Sequence, residues 1–521
     1  MHWADKIASE IISSGKYKPY WVDDMKTPSG FAHIGSMLGP VIHSTIYRAL
    51  KDKGQKVTLS YVFNDFDPAD EFPSVLKKTL EGHQGKPLKT IPSPDPKFAN
   101  LADFLAADLK ESIEYLGFEA KYISSWDLYH QGKFDEVIKL ALDNSEKIQE
   151  IYQKISGSAK KEAGWLPFQV ICEKCGKLGT TKVYDWDGEK VSYRCEPNLV
   201  EWAKGCGFEG KISPFGGTGK LPWKVDWAAH WKVIGVTIEG AGKDHASAGG
   251  SYDIAMAICK EVFDYPEPLK VPYEFILIGG RKMSSSKGVG LKAHDLVKIL
   301  PAEVARFLFV SADISSQSNF NPIGSMAIPD LFDAYDKAWE EYNKGGNENL
   351  ARTFELSQIK SVPKKEKSSV VPRFRDIANY LSQGLEEKEI VEKLSCPKDK
   401  LFEERVKYAK VWLTDYAPED YTFNLTEEVP EEIKKLTPEQ IKYLAEIPKL
   451  FNTPLDADSL QVALYDLSKK LKISGKDAFS AIYTAFIGKT HGPRAGVLLT
   501  NFGKDKIVAR IANIMKEGDN L

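Results

Sequence analysis

Thr27-Pro28-Ser29-Gly30-Phe31-Ala32-His33-Ile34-Gly35-Ser36 separates two strongly patterned segments of the chain. Before it, Tyr17-Lys18-Pro19-Tyr20-Trp21-Val22-Asp23 is aromatic and β-branched, the composition of a strand. After it, Ile34, Leu38, Val41, Ile42, Ile46 and Leu50 recur at helical spacing, which predicts a helix of about four turns from His33 onward. Pro28 and Gly30 break the chain into a tight turn between the two. A strand, a Gly-bearing turn and a helix N-terminus make an anion site of the doubly wound α/β kind, because the first backbone N–H groups of the helix lack internal partners. His33 and Ser36 are three apart and fall on one face of the first turn. Gly35 leaves no side chain where a nucleotide would press against the helix.

One such turn is commonplace in α/β proteins. Its counterpart lies in the second half of the chain, where Gly279-Gly280-Arg281-Lys282-Met283-Ser284-Ser285-Ser286-Lys287-Gly288 follows a strand-like Tyr273 to Ile278. This is a Gly- and Ser-rich loop with three cations. A HIGH-type turn followed by a KMSKS-type loop is the signature pair of class I aminoacyl-tRNA synthetases, and the chain resembles that class on these residues.

At 521 residues the chain has room for roughly three domains. A hydrophobic content of 42% and a charged content of 27% are those of a globular protein. No apolar run approaches the roughly 20 residues that span a bilayer, and the polar N-terminus has no signal-peptide core. A cytoplasmic monomer without a membrane partner is expected. A net charge of −3 excludes a general polyanion-binding coat, so RNA would have to be met by local basic patches.

Residues 1–75 read as the first half of a doubly wound domain, with a second strand at Val57 to Phe63. That strand runs into Asn64-Asp65-Phe66-Asp67-Pro68, carboxylates placed where α/β enzymes contact ligands and where an ordinary capped turn would also put them. Residues 76–220 form an insertion whose first stretch, to about 95, has the Gly, Pro and polar content of an exposed loop. Helical patterns follow near 98–117 and 133–156. Residues 221–315 resume the α/β pattern: Lys220-Leu221-Pro222-Trp223-Lys224-Val225-Asp226-Trp227, a strand expected near Val233 to Ile238, then Glu239-Gly240-Ala241-Gly242-Lys243-Asp244-His245. Pro301 to Val310 reads as a short amphipathic helix. Residues 316–385 are a helical linker region and 386–521 an all-α domain, with a Lys-rich stretch from Pro363 to Ser369.

Within the insertion lie Cys172, Cys175, Cys195 and Cys206, four of the six cysteines of the chain. Without a secretory signal, clustered cysteines point to a metal rather than to disulfides. Four thiolates suit tetrahedral Zn²⁺, as one structural site. Cys172 and Cys175 have knuckle spacing, and Cys206-Gly207 repeats Cys175-Gly176, although ten residues separate Cys195 from Cys206.

Taken together, the HIGH region, the cysteine insertion, KLPWKVDW, AGKDHASAGGSYD, VPYEF and KMSSSKG resemble class I lysyl-tRNA synthetase, the archaeal type. The resemblance covers most of the chain. It implies a Rossmann-type catalytic domain with a zinc-containing insertion and an all-α C-terminal region, in which residues 460–503 resemble the helical cage that meets the anticodon. It implies the substrates L-lysine, ATP and tRNA(Lys), with Mg²⁺ accompanying the ATP and adenylate formation waiting on the tRNA. A glutamyl-type synthetase and a non-catalytic tRNA-binding paralogue are the alternatives.

By the same resemblance His33, Lys282 and Lys287 are the catalytic residues. Pro28, Gly30, Gly35, Ser36, Met283, Ser284, Ser285 and Ser286 join them in binding ATP. The loop reads KMSSSK, with Ser285 in place of the internal lysine and Lys287 two residues later. The lysine pocket maps onto Thr27, Trp223, His245 and Tyr273, the two aromatic residues suiting an aliphatic stem and a cation. A buried ammonium also needs a carboxylate, with Asp226, Asp244 and Asp65 as candidates. Met25 stands where relatives often have glycine. Lys469, Lys470, Lys472 and Lys476 are candidate phosphate contacts near a helix end, which a solvated helix face would equally explain.

Overall fold

The computed structural model describes residues 1–157, 164–280, 292–364, 371–421, 423, 425–453 and 455–518. They divide into two compact units, Met1–Asn321 with Lys337–Lys365, and Pro322–Asp336 with Glu366–Leu521. Among the described residues no helix is long and apolar enough to cross a membrane.

The first unit is built on a five-stranded sheet: β1 (Tyr20–Lys26), β2 (Val57–Phe63), β3 (Lys121–Ser124), β4 (Ile238–Gly242) and β5 (Leu269–Tyr273). Their order is β5-β4-β1-β2-β3 and every pairing is parallel. This is the doubly wound α/β arrangement. The chain leaves β1 in one direction through β2 and β3, then returns to the other side through β4 and β5. The switch point therefore falls at β1, beside β4, where such sheets open a crevice at the carboxyl ends of the strands.

Helices cover both faces. Helix α1 (Trp3–Ser14) packs on α2 (Leu38–Asp52), which lies across β1, β2 and β4. The helices Trp223–Ile234 and Ser251–Glu261 cover the other face, and their apolar core takes in Met25 and Trp21 of β1. Burial on both faces explains the near-continuous apolar strands Val57–Phe63 and Tyr20–Val22.

Several local expectations need correction. The first strand begins at Tyr20 rather than Tyr17 and runs through Lys26, because Lys26 still pairs with Phe63. A 3₁₀ turn, Ile34–Met37, precedes the α-helix proper at Leu38. Val233 and Ile234 close the helix Trp223–Ile234 instead of opening a strand. Its indoles Trp223, Trp227 and Trp231 recur every four residues, and Gly235 stops it with φ 89°. The stretch 76–95 is not simply exposed: Leu80, Leu88 and Ile91 are buried with Ala69, Phe72, Leu101 and Leu105. Helix Ala302–Val310 is buried nearly all round rather than amphipathic, Arg306 included. Arg306 and Arg48 meet no carboxylate within hydrogen-bond distance among the described residues. Arg306 gives its N–H groups to Leu356 O, Leu116 O, Ser44 Oγ and Thr45 Oγ1, and Arg48 to Gln358 O and Gly117 O.

The second unit is helical throughout its described residues. Tyr443, Leu460, Leu464, Ile482, Phe486, Leu499 and Ile511 share one apolar core. Arg405 is buried in an ion pair with Asp336 and also donates to Pro372 O at 2.9 Å, while its Nε meets no partner among the described residues.

Candidate active site

The turn after β1 is held from three sides. Asp108 accepts the N–H of Ala32 at 3.0 Å, Ala293 N–H donates to Ala32 O at 2.8 Å, and His33 forms a β-bridge with Lys292. His33 has extended backbone (φ −104°, ψ 164°) and caps the 3₁₀ turn, with its Nδ1 3.5 Å from Ser36 Oγ. His33, Gly35 and Ser36 are thus gathered at the N-terminal end of α2, and Pro28 and Gly30 shape the turn before it. Residues 281–291 lie outside the described residues, and with them Lys282, Met283, Ser284, Ser285, Ser286 and Lys287. What the structure fixes is where this loop begins and ends: Gly280 N–H donates to Asn319 Oδ1 at 2.9 Å, and Lys292 pairs with His33.

Thr27 gives its hydroxyl to Asp67. The other oxygen of Asp67 is 3.0 Å from Lys220 Nζ, and Lys220 also binds Asp226. Tyr129 completes the group, donating to Asp226 Oδ1 at 2.5 Å. Lys220 and Asp226 are both 2% exposed. The two carboxylates beside Lys220 hold its ammonium above the usual lysine range despite the cost of burial, which opposes them. Asp226 is therefore saturated by internal donors, which takes it out of contention as a partner for a substrate ammonium. Asp65 is likewise spent on the scaffold, accepting from Ser124 Oγ at 2.6 Å and Trp126 N–H at 2.8 Å with Lys89 at 3.4 Å. Asp244 is exposed on the short helix Lys243–Ala246.

Trp223, 48% exposed, forms one wall of the crevice. It stacks on Trp227 with ring centres 6.1 Å apart and meets His245 edge-on at 5.4 Å. Beneath them Glu239 accepts the indole N–H groups of Trp227, at 3.0 Å, and of Trp231. Glu239 pairs in register with Asp23 of β1, whose carboxylate takes the Ser60 hydroxyl. Burial raises both carboxyls, Asp23 to about 8 and Glu239 well above the ordinary range with Asp23 adding to the effect.

The opposite face of the sheet carries a second polar group that the sequence reading missed. Asp24, on β1, points towards α2. Its Oδ1 accepts Met25 N–H at 2.9 Å, and its Oδ2 is 3.6 Å from His43 Nδ1. His43 is neutral by its bonding: Nε2 accepts Gly240 N–H at 2.6 Å, so the ring proton sits on Nδ1, 2.7 Å from Gly39 O. Gly39 is needed here. A Cβ at this position would stand 2.8 Å from Asp24 Oδ2 and 3.0 Å from Tyr273 Oη. Two adjacent aspartates inside a central strand were the available signal, since charged residues are rarely buried without a task.

Within the insertion the four cysteine Sγ atoms converge to within 4.8 Å of one another. Cys172 to Cys206 and Cys175 to Cys195 are both 3.7 Å. Corners of a tetrahedron with metal–sulfur bonds of about 2.3 Å lie about 3.8 Å apart, so the cluster fits a Zn²⁺-sized ion. Gly176 and Gly207 turn with φ 71° and 76°, and each gives its N–H to a cysteine carbonyl, of Cys172 and Cys195. The long spacing is absorbed because Cys195 ends the strand Val191–Cys195, which pairs with Glu209–Ile212 and so brings Cys206 back alongside.

The chain matches a family model described as tRNA synthetases class I (K) over residues 1–360 and an anticodon binding domain over 389–515. The lysine–tRNA ligase of Methanocaldococcus jannaschii is 35% identical, over 98% of this chain and 99% of its own length. That of Archaeoglobus fulgidus is 32% identical, again over 98% and 99%. A solved glutamate tRNA ligase from Elizabethkingia meningosepticum, in complex with its amino acid, aligns over 96% of this chain and 99% of its own with a TM-score of 0.43 and 10% identity.

Proposed function

The chain belongs to the class I (K) tRNA synthetases, and from that premise we propose that it activates L-lysine with ATP and transfers it to tRNA(Lys). The observation that carries this reading is the likeness, over nearly the whole of both chains, to archaeal proteins named lysine–tRNA ligase. The lysine carboxylate attacks the α-phosphorus of ATP and pyrophosphate leaves. A hydroxyl of the terminal tRNA adenosine then attacks the acyl carbon and releases AMP. Almost no covalent chemistry falls to the protein, so its work is positioning and charge stabilisation.

His33, Ser36 and the turn that opens α2 would meet the triphosphate, with Lys282 and Lys287 neutralising the leaving pyrophosphate. Mg²⁺ would travel with the nucleotide. Thr27, held by Asp67, and the Trp223–His245 wall would seat the amino acid. The anticodon-domain match at residues 389–515 supports tRNA as the acceptor. The test is pyrophosphate exchange over a panel of amino acids, with and without tRNA(Lys). Lysine-dependent exchange that rises on adding the tRNA is expected. Exchange driven by glutamate, or by no amino acid, would refute the reading.

The four cysteines would hold one structural Zn²⁺. Metal analysis should find one equivalent per chain, and Cys172→Ser should lose it. Because ligand binding here is folding free energy, the variant's insertion should become protease-sensitive. Cys259 is buried on the helix Ser251–Glu261 and is not one of the four grouped thiols, so Cys259→Ser serves as the control. Metal-free protein with an equally resistant insertion would leave four ordinary thiols.

A further inference from the structure

A carboxylate beside an anion site weakens that site unless its charge is spent elsewhere. Asp108 stands at such a place. Its Oδ2 is 3.0 Å from the N–H of Ala32, the residue before His33 in the HIGH-type turn. Ala293 N–H holds the carbonyl of the same Ala32 at 2.8 Å, so the peptide groups on both sides of Ala32 are fixed, and with them the start of His33. Burial raises the Asp108 carboxyl above the ordinary range, with Glu111 adding to the effect and the Ala32 N–H, His294 and Lys292 opposing it. Lys292 and His294 lie just past the end of the 281–291 loop.

Asp108 belongs to the helix Leu101–Tyr115, in the insertion. Phe104, Asp108 and Tyr115 recur at i, i+4 and i+11, which places them along one face of that helix. Phe104 packs edge-on against Phe31 with ring centres 5.9 Å apart, and Lys292 Nζ lies 5.3 Å from the centre of the Phe31 ring. Further along, about 10 Å from Asp108 at about 1.5 Å per residue, Tyr115 Oη donates to Leu300 O at 2.8 Å, just past the helix Ala293–Ile299. The start of the helix is tied down as well. Lys89 Nζ is 2.6 Å from Asp103 and 3.4 Å from Asp65 beyond β2, and Leu101, Ala102 and Leu105 sit in the apolar cluster against which Phe31 packs. The His33–Lys292 bridge then joins the turn directly to the end of the loop.

We propose that Asp108 is a positioning residue for adenylate formation: from the helix Leu101–Tyr115 it sets the His33 turn against the end of the 281–291 loop. The proposal rests on the lysine-activating reading above and adds an element of the insertion to the groups that serve the nucleotide. Asp108 acts through His33 rather than on a substrate. Its charge is spent on the Ala32 N–H, a charge-assisted hydrogen bond of the stronger kind, and on drawing Lys292 towards the turn. The turn and the loop are far apart in sequence, and one helix that contacts both keeps them at one spacing.

The experiment uses the full chain and measures lysine-dependent pyrophosphate exchange. Asp108→Ala should lower kcat by about 10- to 100-fold, the scale of a small misplacement of a reacting group, while the KM for lysine holds. Asp108→Asn keeps a side-chain carbonyl that accepts the Ala32 N–H and should recover most of that loss. The deciding step is a double-mutant cycle with His33→Ala. Because Asp108 acts through His33, Asp108→Ala should cost at most about threefold in that background. An equal cost in both backgrounds, a rise in the KM for lysine in place of a fall in kcat, or an asparagine no better than alanine each overturns the proposal. Should Asp108→Ala fail to fold, Tyr115→Phe is read in its place, since it deletes one hydroxyl at the far end of the same helix. There kcat should fall by about 3- to 10-fold, the scale of one hydrogen bond, with the KM for lysine unchanged, and an unaltered kcat overturns the proposal. A parent chain with no lysine-dependent exchange refutes the functional reading itself, whereas an active parent with an indifferent Asp108→Ala refutes Asp108 alone.

Discussion

Lys220→Met should lower the stability of the first unit by about 3–5 kcal/mol, the cost of removing one partner from a buried ion pair. The same change at a surface pair such as Lys139–Asp143 would cost about 0–1 kcal/mol. The difference lies in what is left behind. Lys220 is 2% exposed and shared by Asp226 and Asp67, and Asp226 is as deeply buried. Without the ammonium, Asp226 keeps a charge that solvent does not reach, beside a second carboxylate, Asp67, whose side chain is only 20% exposed. The loss should appear as a lower midpoint in chemical denaturation followed by tryptophan fluorescence, since Trp223, Trp227 and Trp231 lie on the same helix as Asp226. Adding Asp226→Asn to Lys220→Met removes one orphaned charge and should recover part of the stability. A single variant as stable as the parent would mean that water or another cation reaches the pair. Function should suffer as well, because Asp67 orients the Thr27 hydroxyl: the KM for lysine should rise even where the variant is folded.

What could be read from the sequence was the chemistry carried by contiguous residues. Thr27–Ser36 announced a strand, a turn and a helix because Pro28, Gly30 and the apolar repeat act locally. The four cysteines could be grouped because thiolates in such numbers have few other uses. Pairing of Val191–Cys195 with Glu209–Ile212 then removed the difficulty of the ten-residue gap. The helix Trp223–Ile234 is hard to read because its β-branched end, Val233 and Ile234, looks like the opening of the strand that starts at Ile238. Its period-four indoles are a helical signal that β-propensity masked.

Legibility ended where a group is assembled across elements. The Asp24 environment brings together Gly39 and His43 from a helix, Gly240 from a second strand, and Tyr273 from a third. No window of sequence contains them together. The three carboxylates chosen from sequence sat near recognisable motifs, and two of them proved to be spent on internal partners. Proximity to a motif says little about which lone pairs remain free. That is a question of burial and partners, which only the packed structure answers.

His33→Ala is expected to lower the rate of adenylate formation by about 10²- to 10³-fold, the usual loss when one preorganised donor to a developing negative charge is removed. The size of the effect follows from the reaction. Charge migrates onto the pyrophosphate as the α-phosphorus bond breaks, and the protein opposes it with oriented N–H groups and cations alone. The proposed role of His33 is matched by a fixed backbone. His33 caps the 3₁₀ turn in extended conformation and is bridged to Lys292 at the exit of the 281–291 loop. Truncation therefore removes a donor and leaves the turn, since Ala32 remains bound to Asp108 and Ala293. The loss should fall on kcat in pyrophosphate exchange, with the KM for lysine little changed, because Thr27, Trp223 and His245 are untouched. His33→Gln, which keeps a donor of similar reach, should restore about a tenth or more of the lost rate. A fold disturbed at the turn would instead raise the KM for both substrates and would not distinguish alanine from glutamine. An alanine variant turning over at the parent rate would remove His33 from the chemistry and leave phosphate stabilisation to the start of α2 and the lysines of the loop.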